Sequence, residues 1–112
     1  MPGDPDETIL DPTGFEAIFT DECWTGHIVT GHPEMAPFRQ RIVETIANPD
    51  AIYSGKRDPR SRIYAKKYAE TPGVGRELTL LVYAKVEARY VATAYFAAQA
   101  IRALGERIWP ST

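Results

Sequence analysis

Residues 77 to 96 read ELTLLVYAKVEARYVATAYF, and this stretch decides the fold class. Apolar and β-branched residues fill two runs, Glu77 to Glu87 and Tyr90 to Phe96, with Ala88-Arg89 between them. Two such runs separated by a tight turn are typical of an antiparallel β-hairpin. The stretch therefore predicts a sheet in which these two strands are neighbours.

The chain before this hairpin predicts two further strands. Alternation with a period of two favours strands at Ala51 to Ser54 and Arg62 to Tyr68. The Asp58-Pro59 pair lies between them and indicates a turn. These two strands and the hairpin make a four-stranded antiparallel sheet the expected framework.

Two helices are expected ahead of the sheet and one after it. The first is predicted at residues 22 to 29, and the second from Pro33 to just before Pro49, because proline is tolerated in a first helical turn. Ala97 to Leu104 is predicted to form a short closing helix that stops at Gly105. The expected fold class is α+β: two N-terminal helices packed on a four-stranded antiparallel sheet, with a short C-terminal helix.

Length and composition limit the chain to one small domain. With 112 residues, 44% of them hydrophobic, a single core is expected, and we assign it to residues 14 to 112. Residues 1 to 13 are rich in Pro, Gly and Asp, which predicts a disordered acidic leader. Cys23 is the only cysteine, and no apolar run has the length of a signal peptide or a membrane span, so a cytoplasmic protein without a membrane partner is predicted.

The charges are distributed unevenly around a formal net charge of -2. Residues 1 to 22 contain seven acidic side chains and no basic one, whereas residues 56 to 76 contain seven basic ones. A polyanion that bound to the basic stretch would gain affinity from counterion release, although a solvated charged loop and strand explain the same pattern. If the acidic leader shields this stretch, deletion of Met1 to Thr13 should strengthen RNA binding at low salt.

The two histidines are the densest chemical signal. His27 and His32 lie within Trp24 to Glu34, each preceded by a glycine. Histidine is the side chain that ordinarily changes charge near neutral pH, so either residue could transfer a proton to or from a ribose hydroxyl. The alternatives are a structural role for each histidine and a metal site built from Cys23, His27 and His32, although structural zinc sites normally use four ligands.

Alternation along the predicted strands also suggests a binding surface. Arg62, Tyr64 and Lys66 share one side of their strand, while Thr93 and Tyr95 share one side of the last strand. If these sides coincide, cations, hydroxyls and aromatic rings form one open sheet face suited to RNA. The tyrosines could equally complete cross-strand packing.

Four short runs carry a resemblance to a known family and span about residues 22 to 96. They are Trp24-x-x-His27-Ile28-x-x-x-His32-Pro33-Glu34-Met35, Ile42-x-x-x-Ile46-x-x-Pro49-Asp50-x-Ile52, Arg62-x-Tyr64-x-Lys66 and Val91-x-Thr93-Ala94-Tyr95. Together they resemble the phage-type members of the barnase, EndoU, colicin E5/D and RelE nuclease superfamily. Family nucleases are often strongly basic, and this slightly acidic chain departs from that pattern.

The resemblance implies a metal-independent ribonuclease without a cofactor. The 2′-hydroxyl of RNA would attack the neighbouring phosphate and leave a cyclic phosphate. The resemblance implies His27 as the principal acid or base, with His32 as a second proton-transfer group or a structural residue. The remaining catalytic positions implied are Lys66, Thr93 and Tyr95, and the substrate-binding positions are Arg60, Arg62 and Tyr64. RNA is the expected partner, together with an inhibitor or immunity protein, and the alternative is a non-catalytic RNA- or protein-binding module on the same face.

Overall fold

The computed structural model describes residues 6–69, 77–98, 102 and 104–111. They form seven β-strands and two helical segments. The strands are β1 (Glu7–Leu10), β2 (Glu16–Phe19), β3 (Ala51–Gly55), β4 (Ser61–Tyr68), β5 (Leu78–Lys85), β6 (Val91–Ala97) and β7 (Leu104–Trp109). The first helical segment joins α1 (Asp21–Cys23), the π-helical turn Trp24–Ile28 and α2 (Val29–Gly31). The second joins a 3₁₀ helix, Pro33–Phe38, to α3 (Arg39–Ala47).

The helical segments begin and end where the local chemistry requires. Thr20 caps the first segment, because its hydroxyl accepts a 3.0 Å hydrogen bond from the backbone N–H of Cys23. The segments separate at His32, whose backbone has a φ of -136° and a ψ of 75°, since the residue before a proline is biased away from helical geometry. Within the described ranges, no helix has both the length and the apolar character needed to cross a membrane.

The main sheet is antiparallel and has the strand order β6-β5-β4-β3-β7. The predicted hairpin of the last stretch is confirmed, because β5 and β6 pair around a tight turn. Arg89 in this turn has a φ of 65°, and its N–H donates to the carbonyl oxygen of Lys85. In register, Tyr83 lies opposite Thr93 and Leu81 lies opposite Tyr95.

The two faces of the main sheet pack differently. The helical segments and the β1–β2 hairpin cover one face, and their contact with the sheet forms the main core. A smaller cluster lies on the other face, where the side chains of Ile63, Ala65 and Leu81 are buried. The residues packed around that smaller cluster are Tyr53, Tyr83, Tyr95, Ala97 and Leu104.

Part of the predicted disordered leader is ordered in the structure. Residues 7 to 10 form β1, which pairs with β2 in a separate two-stranded sheet, while residues 1 to 5 lie outside the described residues. Asp11 shapes the connection, because its Oδ1 accepts hydrogen bonds from the backbone N–H groups of Thr13 and Phe15. Only Ile9 of β1 is buried, so the short strand carried little hydrophobic signal.

The predicted arrangement of helices and strands is wrong in three respects. The β1–β2 hairpin precedes the helices, which therefore lie in the middle of the chain. The main sheet has five strands, because β7 pairs with β3. The predicted C-terminal helix is also contradicted at its ends, since Ala97 belongs to β6 and Leu104 to β7, while residues 99 to 101 and 103 lie outside the described residues. A short apolar run has no periodicity of its own that separates helix from strand, and long-range pairing decided these ends.

Candidate active site

The β5–β6 hairpin places two tyrosines side by side on the face opposite the helices. Tyr83 and Tyr95 occupy diagonal positions of the ladder, because their opposite neighbours are Thr93 and Leu81. Their hydroxyl oxygens lie 2.8 Å apart and form a hydrogen bond. Their rings are stacked with centroids 5.8 Å apart. Thr93 pairs with Tyr83 and therefore lies on the same face.

A β-bulge in β6 determines which side chains share this face. The register shifts after Tyr83, so that Ala84 pairs with Val91 and Ala92 is the extra residue. Simple alternation had put Val91 on the side of Thr93 and Tyr95, but Val91 is buried in the main core. The bulge therefore separates Val91 from the two hydroxyl-bearing side chains.

His32 extends the pair of tyrosines to the edge of the sheet. Its imidazole stacks on the ring of Tyr95, with centroids 5.4 Å apart and planes 28° apart. The break before Pro33 and the edge position of β6 bring the side chain to this ring. The imidazole remains 37% exposed, and its Nδ1 lies 3.6 Å from Oε2 of Glu34. His32, Tyr95 and Tyr83 therefore form a continuous row of polar rings, which we call the ring row.

The hydroxyl of Tyr83 stays protonated at neutral pH. Burial raises its pKa, and the hydrogen bond with Tyr95 raises it further. A neutral phenol can donate a hydrogen bond to an oxyanion but is a poor base. The ring row thus combines an imidazole, which can accept a proton, with hydroxyl groups that can stabilise negative charge.

Arg62 and Tyr64 lie on the opposite face, in a buried network with Asp11. Oδ2 of Asp11 accepts hydrogen bonds from the Tyr64 hydroxyl at 2.6 Å and from Nε of Arg62 at 3.0 Å. Nη2 of Arg62 donates to the Thr13 hydroxyl, and the guanidinium lies over the ring of Phe15. The prediction that Arg62 and Tyr64 share a surface with Thr93 and Tyr95 is wrong, because the even-numbered positions of β4 face the main core. Alternation alone could not decide which face the helices cover.

The Asp11 carboxylate is ionised in this network. Burial alone would raise the pKa of Asp11, but the hydrogen bonds from Tyr64 and Thr13 and the charge of Arg62 outweigh burial and hold the pKa below its ordinary value. Burial also raises the pKa of Tyr64, with a further contribution from Asp11. The network is therefore a buried ion pair with a neutral phenol as third member.

Lys66 and Arg60 also lie away from the ring row. Nζ of Lys66 donates a 2.8 Å hydrogen bond to the carbonyl oxygen of Asn48, which follows α3. Arg60 is exposed in the turn between β3 and β4, and its Nε lies 3.6 Å from Asp58. The structure therefore does not bring either cation to Tyr95.

His27 lies in a different cavity from the ring row. It is exposed on the π-helical turn and lines a cavity of about 600 Å³. The other residues lining this cavity are Asp6, Thr20, Glu22, Cys23, Tyr90 and Val91. The predicted pairing of His27 with Thr93 and Tyr95 therefore has no counterpart in the contacts of this cavity.

The proposed metal ligands do not converge in the described residues. Cys23 is buried, and burial raises the pKa of its thiol to about 11, which disfavours the thiolate that a metal needs. Across residues 6–69, 77–98, 102 and 104–111, no group of three or more His, Cys, Asp or Glu side chains could hold a metal ion. The Cys23, His27 and His32 alternative therefore has no geometric support in these ranges.

Sequence reasoning missed Tyr83 and Asp11. The signal for Tyr83 was present in the hairpin, because a residue opposite Thr93 must share its face once the register is known. Asp11 gave no local signal, since its partner Arg62 is far away in the chain. Comparisons with family models, with curated proteins and with solved structures found no match to this chain.

Proposed function

We propose that this chain is a metal-independent endoribonuclease-like domain that acts at the ring row. The observation that carries the proposal is the stacking of the partly exposed His32 on Tyr95, whose hydroxyl bonds to that of Tyr83. An imidazole beside neutral hydroxyl donors is the combination that proton transfer and oxyanion stabilisation require. The four sequence runs that resemble the nuclease superfamily support the same reaction class.

In the proposed reaction, His32 takes the proton of the 2′-hydroxyl while that oxygen bonds to the adjacent phosphorus. The bond from phosphorus to the 5′-oxygen breaks, and the departing oxygen takes a proton from water. Glu34 stabilises the imidazolium that forms, since its carboxylate lies 3.6 Å from Nδ1. Tyr83, Tyr95 and Thr93 hold the phosphate oxygens. The products are a 2′,3′-cyclic phosphate and a 5′-hydroxyl.

This assignment moves the principal role from His27 to His32. His32 contacts Tyr95, whereas His27 lines the cavity near the start of β6. Cys23 is the only cysteine and is buried as a free thiol, which fits our proposal that the domain works in the reducing cytoplasm.

The test is cleavage of mixed RNA in EDTA by the wild type and by His32→Ala and His27→Ala, with the 3′-end chemistry determined. We expect the wild type to produce cyclic phosphate ends and His32→Ala to lose roughly 10²- to 10⁴-fold in rate. The His27→Ala variant separates the two assignments, because greater loss with this variant would return the principal role to His27. Loss of wild-type cleavage in EDTA would remove metal independence from the proposal.

A non-catalytic RNA-binding module is the second candidate. Lys56 and Arg57 are exposed near the ring row and form no ion pair within the described residues, so their charges are available to a phosphate. Such a module would bind RNA without turnover, and His32→Ala would leave its affinity nearly unchanged. Binding with no cleavage of any RNA class by the wild type would favour this candidate.

A further inference from the structure

A cavity of about 390 Å³ lies beside the ring row, at the turn between β3 and β4. Tyr83 lines it and also bonds to Tyr95, so the cavity and the ring row share one side chain. The remaining lining residues are Gly55, Lys56, Arg57, Asp58, Ser61 and Arg102. The cavity is therefore placed to receive a group adjacent to the one that contacts His32.

Three cations in the lining have no acidic partner in the described part of the chain. They are Lys56, Arg57 and Arg102, all exposed, and none forms an ion pair with a described residue. Cations without a protein partner keep their charge available for an anion. A cation ligand would be repelled by the same three charges.

The single carboxylate in the lining is already engaged. Oδ2 of Asp58 accepts a 2.9 Å hydrogen bond from Nζ of Lys85, and Oδ1 accepts one from the backbone N–H of Arg60. The hydrogen bond from Lys85, followed by that from Arg60, lowers the pKa of Asp58 to about 2. Asp58 therefore opposes an incoming anion much less than a free carboxylate would.

The floor of the cavity depends on a glycine. A Cβ added to Gly55 would lie 2.5 Å from the carbonyl oxygen of Asp58, which is closer than real Cβ atoms approach. That carbonyl also accepts a 2.9 Å hydrogen bond from the backbone N–H of Ser61. The tight turn that presents Lys56 and Arg57 is thus fixed by a close backbone approach.

We propose that this cavity binds a backbone phosphate of a single nucleic-acid strand, next to the phosphate that reacts at the ring row. The binding of a strand needs a cationic groove with an aromatic ring beside it, and Lys56, Arg57 and Tyr83 supply both. Its position relative to the reacting phosphate rests on the proposed function, but binding itself does not. We call it the phosphate cavity.

The test measures the affinity of a short single-stranded 2′-deoxyoligonucleotide over a range of salt concentrations. This probe has no 2′-hydroxyl, so binding is measured without cleavage. For Lys56→Ala/Arg57→Ala we expect about tenfold weaker binding at about 0.1 M salt and a slope of log K against log salt that is shallower by about 1.4, from about 0.7 per phosphate lost.

The matched control is Lys67→Ala/Arg107→Ala, which removes the same residue types from exposed positions outside the cavity. The control should keep the wild-type slope. Equal loss in both double variants would mean that binding follows diffuse charge and would overturn the phosphate cavity. Equally tight wild-type binding of poly-glutamate would overturn its preference for phosphate.

The same measurements separate the two proposals. Binding of the probe that depends on Lys56 and Arg57, without cleavage of RNA, would refute the nuclease while the phosphate cavity stands as a binding site. Cleavage of RNA by the wild type, with probe binding unchanged in Lys56→Ala/Arg57→Ala, would refute the cavity while the nuclease stands.

Discussion

The two faces of the main sheet both carry polar side chains, but they satisfy them differently. On the helix-covered face, Arg62 has a partner for its charge in Asp11, and the pair is almost fully removed from water. On the other side, Lys56 and Arg57 have no such partner within the described residues. A paired, buried cation stabilises one conformation, whereas an unpaired, exposed one is free to meet a ligand. The contrast shows that the position of a cation in a strand says less about its role than its partner does.

Breaking the buried pair should produce the largest effect. Asp11→Ala leaves the guanidinium of Arg62 buried without its counter-charge, and we expect the free energy of unfolding to fall by about 3–5 kcal/mol. Urea unfolding measures this loss. The matched control is Glu16→Ala, which breaks an exposed pair with Arg89 and should cost about 0–1 kcal/mol. Similar losses in both variants would contradict the distinction between the two faces.

The same network should make stability depend on acid. The pKa of Asp11 is lower in the folded protein than its ordinary value of 3.8, so the unfolded chain binds the proton first as the pH falls. The stabilisation by ionised Asp11 is therefore complete above that value and is lost as the pH falls through it towards the folded pKa. The advantage of the wild type over Asp11→Asn should shrink over this window in urea unfolding. An advantage that stays constant down to about pH 2 would exclude the linkage.

Removing one hydroxyl from the ring row should have a smaller effect, confined to activity. Tyr83→Phe keeps the stacked ring but deletes the hydroxyl that bonds to Tyr95, and we expect RNA cleavage to slow about tenfold, or about 1.4 kcal/mol in the activation barrier. Single-turnover kinetics measures the change. Tyr90→Phe makes the same chemical change at an exposed tyrosine outside the ring row and should keep the wild-type rate. Equal rates for Tyr83→Phe and the wild type would exclude the Tyr83 hydroxyl from the reaction.

The smallest effect is expected at Lys66. Its ammonium is held by the carbonyl oxygen of Asn48, so Lys66→Met should change RNA cleavage less than about twofold and stability by about 0.5–1.5 kcal/mol. Cleavage rates and urea unfolding of the same preparation test both parts. A large loss of cleavage with unchanged stability would place Lys66 in the reaction, as the resemblance implied.

Local pattern was sufficient to predict the hairpin and the adjoining strands. The runs that became β3 to β6 each carry their own alternation or apolar stretch, and Pro33 marks the break between the helical segments. β1 and β7 could not be found this way, because each is held by a partner that its own sequence does not specify. Tertiary pairing overrode local propensity at both positions.

The site residues divide for a related reason. His32 and Tyr95 were predicted and do meet, because the helix break and the strand were both visible locally. The face of Arg62 was not predictable, since a strand with two polar sides does not reveal which one is covered. The bulge at Ala92 adds one residue to β6, and a single inserted residue reverses every later alternation.

The pairing of β7 with β3 also has a consequence for how the chain folds. β3 completes its ladder only when a strand made much later reaches it, so this contact has a high sequence separation. Until then β3 presents an unpaired backbone edge that a second chain could join. The order of synthesis thus makes this edge the point most exposed to misassembly during folding, while the β5–β6 hairpin can form early from neighbouring residues.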